Sequence, residues 1–142
     1  MSSGRPLVLV VDDNSVNRTL VADILKAKGF RVAKADSAEA AVDLVVALRP
    51  ALVLMDINMP GTSGLEAVRV LRSHPEPDVA ATPVVTLSAL ARPSDRANSL
   101  AAGASDYLPR PSSIHEMLAA IERLLANRPQ GPHGYVSPRK VN

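Results

Sequence analysis

Two kinds of apolar pattern alternate along this chain. Leu7–Val11 (LVLVV) and Leu52–Met55 (LVLM) are unbroken apolar runs, the mark of strands buried on both faces. Phe30–Ala35, Val84–Leu87 and Ser105–Leu108 read as three further short strands. Between them, apolar residues recur at helical spacing. Val16, Leu20, Val21, Ile24 and Leu25 predict a helix over 16–28, closed by Gly29. Ser37 opens a second helix that carries Val42, Leu44, Val45 and Leu48 and stops at Pro50. A third spans Leu65–Arg72, and a fourth opens at Pro93-Ser94 and ends at Gly103. A fifth, capped by Ser112-Ser113, runs to about Ala126.

The order is therefore βαβαβαβαβα. Strict alternation with buried strands predicts an α/β fold, a parallel sheet covered by helices on both faces. The 142 residues suit one domain with a full core. That domain is placed at residues 7–126, after a disordered N-terminus (1–6). Residues 127–142, NRPQGPHGYVSPRKVN, are rich in Pro, Gly and polar residues and read as a disordered basic tail or a linker.

Composition narrows the chemistry. The only aromatics are Phe30, Tyr107 and Tyr135, so Val, Leu, Ile and Ala must build the core. The absence of cysteine excludes disulfides, thiol catalysis and Cys-based metal sites. His74, His115 and His133 stand far apart and suggest no ligand cluster. No apolar run approaches the roughly 20 residues a membrane span needs, and MSSGRP lacks the apolar core of a signal peptide. The expectation is a soluble cytoplasmic protein with no membrane partner. The net charge of +2 is uneven. Arg128, Arg139 and Lys140 lie in a tail without acids, which leaves −1 for the rest. The basic pI is therefore no pointer to a nucleic-acid surface.

In sheets of this kind, sites form beyond the carboxyl ends of the strands, near the topological switch point. The first strand ends at Asp12-Asp13, the third at Asp56, the fourth at Ser88-Ala89 and the fifth near Arg110-Pro111. Three carboxylates in one crevice repel one another, and a hard divalent cation such as Mg²⁺ (or Mn²⁺) would resolve the repulsion. The Ser88 hydroxyl and the Arg110 guanidinium suit an anionic oxygen group. An aspartate beside such a metal can attack a phosphoryl group to give an acyl phosphate. Taken singly, each residue has a plainer reading. Asp12-Asp13 would cap a helix, Asp56 would be a loop acid, Ser88 a small strand-end residue, Tyr107 a core aromatic and Arg110 a surface charge. Their common position at the strand ends favours a site. Asn14 and Arg18 read as capping and surface groups.

Four segments carry a family resemblance: VLVVDDNSVNR, LVLMDINMPGTSGLE, PVVTLSALA and GASDYLPRP. In this order they resemble the signatures of the receiver domain of two-component response regulators, the CheY-like superfamily, over about residues 7–126. The DDNxxNR pattern is most similar to receivers associated with hybrid histidine kinases. The resemblance implies a flavodoxin-like, doubly wound (βα)5 fold with five parallel strands in the order 2-1-3-4-5. It also implies roles. Asp56 matches the phosphoacceptor, Asp13 the direct Mg²⁺ ligand and Asp12 the acid that binds through water. Asn58 matches the position whose backbone carbonyl completes the metal site. Ser88 matches the switch hydroxyl that bonds the phosphoryl group, Tyr107 the aromatic switch and Pro111 the proline after a cis peptide bond. Arg110 stands where the family has lysine, a replacement that is longer, planar and not conservative in a tight site. Thr62-Ser63 departs from the usual Met-Asp.

The implied function is transfer of a phosphoryl group to Asp56 from a sensor histidine kinase or histidine phosphotransfer protein. The change would then be read on the face of the fourth helix, fifth strand and fifth helix by a downstream protein or a second copy of the chain. The residues after Ala126 are too few for an effector domain, so a stand-alone receiver or one cut from a larger protein is expected. The alternative is a pseudo-receiver, a constitutive interaction module in which Arg110 locks Asp56 in a salt bridge. A phosphatase of the haloacid-dehalogenase type would need an acid where Asn58 stands. A flavodoxin would need phosphate-binding donors where Asp12-Asp13-Asn14 stand.

Overall fold

A computed structural model describes residues 5–109 and 113–127. Arg110, Pro111 and its expected cis peptide bond, and the tail beyond Asn127 lie outside the described residues. Five strands form the sheet: β1 (Leu7–Val11), β2 (Arg31–Ala35), β3 (Leu52–Asp56), β4 (Val84–Ser88) and β5 (Asp106–Pro109). They are all parallel and lie in the order β2-β1-β3-β4-β5. Five helices connect and cover them: α1 (Ser15–Ala27), α2 (Ala38–Leu48), α3 (Gly64–Arg72), α4 (Pro93–Ala102) and α5 (Ile114–Asn127). This is the expected flavodoxin-like, doubly wound arrangement.

Strand alternation divides the core in two. Leu9, Val11, Val53 and Met55 point to one face, where Ala41, Val45, Ala67, Val68, Leu71 and Ala102 of α2, α3 and α4 cover them. Val8, Val10, Leu52 and Leu54 point to the other, against Val21 and Leu25 of α1 and Met117 and Ile121 of α5. β1 and β3 are thus apolar at every position because both faces are roofed, and β2, at the edge, tolerates the exposed Arg31 and Lys34.

The helix starts follow capping chemistry. Asn14, Ser37 and Ser63 each accept a backbone N–H one turn into α1, α2 and α3. Ser113 and Glu116 cap α5 reciprocally, each side chain taking the other's N–H at 3.0 Å. Ser63 at the cap starts α3 at Gly64, one residue before the apolar pattern begins. A single helical turn, Pro77–Ala80, was not expected from periodicity, being too short to show one.

Arg72, at the end of α3, ties this side of the molecule together. Its Nε donates to the Gly103 carbonyl at 2.8 Å, and Nη1 donates to the carbonyls of Ala80 (2.9 Å) and Thr82 (2.8 Å). These oxygens lie at the carboxyl ends of α4 and of the short turn, where carbonyls lack intrahelical partners. Burial lowers the Arg72 pKa from its ordinary value, but the cation is still well served by three acceptors. Arg72→Ala is expected to cost about 3 kcal/mol, since it orphans part-buried carbonyls held by a charged donor. Urea unfolding checks this. An unchanged midpoint would mean that water replaces the guanidinium without loss.

Candidate functional site

Beyond the last β1–β3 pair, Val11 with Met55, the next residues are Asp12 and Asp56. The two strands therefore deliver their carboxylates side by side where the strand order reverses, the position favoured for sites in such sheets. Asp13 follows on the exposed rim. One carboxylate oxygen from each of Asp12, Asp13 and Asp56 lies within 4.8 Å of the others. Asp12 and Asp56 are nearly buried, at 2% and 6% exposure.

Local backbone geometry aims these groups. Asp12 Oδ1 accepts the Asn14 N–H at 2.9 Å, and Asp56 Oδ1 accepts the Asn58 N–H at the same distance. Both are tight side-chain turns of the kind short acids favour. Arg18, one turn into α1, donates to the Asp12 carbonyl at 2.6 Å and is half-buried, so it braces the acid loop where a plain surface charge was expected. An all-oxygen set with this much negative charge fits a hard divalent cation such as Mg²⁺ or Mn²⁺.

Gly64 sets the depth of the β3 end. A Cβ there would collide with the Asp56 carbonyl oxygen and come within 2.9 Å of Met55 Cγ and 3.0 Å of Ile57 Cα. The loop from Asp56 to α3 can fold back on the strand only because this residue has no side chain.

The β4 side supplies donors. Register pairs Asp56 with Leu87, so Ser88 lies one residue further along. Its fully buried hydroxyl donates to Asp95 Oδ2 and lies 3.2 Å from Asn58 Oδ1, and it accepts the Ala91 N–H at 3.1 Å. Asn58 Oδ1 also receives the N–H groups of Ala89 (2.8 Å) and Leu90 (3.4 Å). The Asn58 side chain thus gathers the donors of the β4–α4 loop. The expectation placed only its backbone carbonyl at the site. Its reach across the sheet is a tertiary contact that no local pattern announces. Asp95 was missed for the same reason. Its carboxyl is held below the ordinary carboxylate range, chiefly by the Ser88 hydroxyl and, against the opposing effect of burial, by the Arg92 N–H and guanidinium.

Tyr107 is buried on β5, with the Arg96 guanidinium 5.8 Å from its ring centroid, a cation–π contact. Asp12, Asp13 and Asp56 therefore meet at the strand ends, hydrogen bonds link Asn58 to Asp56 and to Ser88, and Tyr107 lies on the strand beside Ser88. Arg110 falls outside the described residues.

Similarity to known proteins identifies the family. The family model described as the response regulator receiver domain matches residues 8–122. The response regulator MprA of Mycolicibacterium vanbaalenii is 38% identical over 118 residues, 83% of this chain and 49% of that protein. Protein PetR of Rhodobacter capsulatus is 36% identical over 130 residues, 92% of this chain and 53% of that protein. This chain spans about half the length of these curated relatives. Among solved structures, the receiver domain of the sensor histidine kinase PA1611 from Pseudomonas aeruginosa is 31% identical, with a TM-score of 0.79 over 87% of this chain and 100% of that one. It holds a magnesium ion in its active-site cleft. Chemotaxis protein CheY4 of Vibrio cholerae is 27% identical, with a TM-score of 0.77 over 84% of this chain and 98% of that one. No helix among the described residues is long and apolar enough to cross a membrane.

Two outcomes follow from the site's geometry. Mg²⁺ should raise the urea midpoint of the wild-type protein, and Asp13→Asn, at an exposed position, should remove that gain while leaving metal-free stability unchanged or higher. Equal gains in both proteins would place the cation elsewhere. Gly64→Ala should cost about 2 kcal/mol through overpacking and weaken the Mg²⁺ response, because the clash falls on the backbone of Asp56. Wild-type behaviour of this variant would show that the loop yields freely.

Proposed function

The chain belongs to the response regulator receiver domain family, and on that premise we propose that Asp56 accepts a phosphoryl group from the phosphohistidine of a kinase or phosphotransfer protein. The observation that carries this reading is the meeting of Asp12, Asp13 and Asp56 at the β1/β3 switch point. In the transfer, an oxygen of Asp56 bonds to phosphorus as the phosphorus–nitrogen bond to the donor imidazole breaks, and that nitrogen takes up a proton. The Asn58 N–H fixes the carboxylate for attack. Asp12 and Asp13, with the Asn58 carbonyl, are assigned to hold a divalent cation, which supplies positive charge to the transferring oxygens.

After transfer, the new phosphoryl oxygens are stronger acceptors than the Asn58 amide oxygen on which the Ala89 N–H now rests. Ser88 and the Ala89 N–H are expected to turn to them, which biases the α4–β5–α5 face. Tyr107 lies buried on that face, and an exposed Arg123–Asp106 ion pair joins α5 to β5. A downstream protein or a second copy of the chain would read the change there. The donor would dock beside the acid loop, where Val16 and Leu20 expose apolar side chains on one face of α1. Arg110 is assigned to the phosphoryl group in place of the usual lysine, and its forked guanidinium would alter how long the group persists.

Incubation with Mg²⁺ and phosphoramidate, followed by intact mass, tests the reading. One added phosphoryl unit is expected in the wild type and none in Asp56→Asn. Arg110→Lys should change the formation or decay rate by about threefold or more, since a fork replaced by a point charge alters the grip. No Asp56-dependent species would contradict phosphoryl transfer and favour a pseudo-receiver. Identical time courses for Arg110→Lys would remove Arg110 from the site.

A further inference from the structure

The Ser88 hydroxyl has one proton, and in this structure a group outside the acid cluster holds it. Asp95, the third residue of α4, is a carboxylate only 2% exposed, and its Oδ2 accepts from Ser88 Oγ and from the Arg92 N–H at 3.0 Å. Its Oδ1 lies 3.5 Å from Arg92 Nε. Capping alone explains the Arg92 bond, because an acid at this helix position commonly reaches back to the cap N–H. Capping does not explain why the same oxygen is turned inward onto a fully buried serine seven residues earlier. A charged acceptor also outcompetes the neutral Asn58 amide oxygen at 3.2 Å for a single proton. The loop between them is held taut. Ala91 sits in the left-handed region at φ 49° and gives its N–H back to Ser88 Oγ.

We propose that Asp95 is a positioning residue that holds Ser88 in its resting place, so that a phosphoryl group on Asp56 must win the Ser88 hydroxyl from it. The proposal rests on the receiver reading and adds a competing acceptor to it. Turning Ser88 toward Asp56 leaves a nearly buried carboxylate with only its Arg92 partners, and that loss opposes activation. The strength of the Asp95–Ser88 bond therefore sets how easily the β4–α4 loop responds, and the lost bond passes the change directly into α4.

Beryllofluoride with Mg²⁺, a non-covalent mimic of the phosphoryl group, measures the competition. Its affinity is compared in the wild type, Asp95→Asn, Ser88→Ala and the double variant. Asp95→Asn should bind about fivefold more tightly than wild type, with no such gain in the Ser88→Ala background. An equal gain in both backgrounds, or no gain in either, overturns the proposal. A spectroscopic readout stands beside it. In the wild type, the ¹³C resonance of the Asp95 carboxyl should shift as beryllofluoride saturates the site, as expected for a carboxylate losing a donor, and should not shift in Ser88→Ala. Saturation with an unmoved Asp95 resonance also overturns it. A wild-type protein that binds no beryllofluoride overturns the receiver reading itself, and the latch with it, which is a different outcome from a latch that fails alone.

Discussion

Mutual repulsion among three carboxylates is the constraint around which this molecule is built. Asp12, Asp13 and Asp56 are brought together because β1 and β3 are neighbours in parallel register, one ending at the level of the other. Water screens such charges poorly when two of the three are nearly buried. The apolar packing of both sheet faces holds the strands at that spacing regardless. The result is a concentration of negative charge that a hard divalent cation would offset.

The β4 side answers that charge with donors, and in the resting molecule those donors are occupied. Asn58 Oδ1 collects the Ala89 and Leu90 N–H groups, and Asp95 holds the Ser88 hydroxyl. Each acceptor is replaceable by a more strongly charged one. Ser88 and Asp95 are nearly buried while Ala89 and Leu90 are exposed, so the loop joins a buried hydrogen bond to a solvent-facing one. The strained Ala91 and the capping geometry of α4 make the loop and the helix one mechanical unit.

Much of this was legible in the sequence, for identifiable reasons. Leu7–Val11 and Leu52–Met55 are apolar at every position because both sheet faces are covered, so strand, class and the placing of Asp12 and Asp56 all followed from one pattern. Caps were readable because Ser37 and Ser113 act within one turn of their own helices. The contacts that the local sequence does not announce span the sheet or cross between elements. Asn58 reaches Ala89, Arg72 reaches Gly103, and Asp95 turns inward to Ser88. In each case the local sequence offers a simpler role, an Asx turn, a helix-end cation or a capping acid, and only the packed fold adds the second partner. Arg18 reads as a surface group in the sequence because its bond to the Asp12 carbonyl depends on how tightly the acid loop curls.

The most direct measurement is a crystal structure of the protein with Mg²⁺ and beryllofluoride bound. The account predicts the ion between Asp12, Asp13 and Asp56, the beryllium on Asp56, and the Ser88 hydroxyl and Ala89 N–H turned from Asp95 and Asn58 to the fluorides. A structure with beryllofluoride on Asp56 but Ser88 still bonded to Asp95 would contradict it.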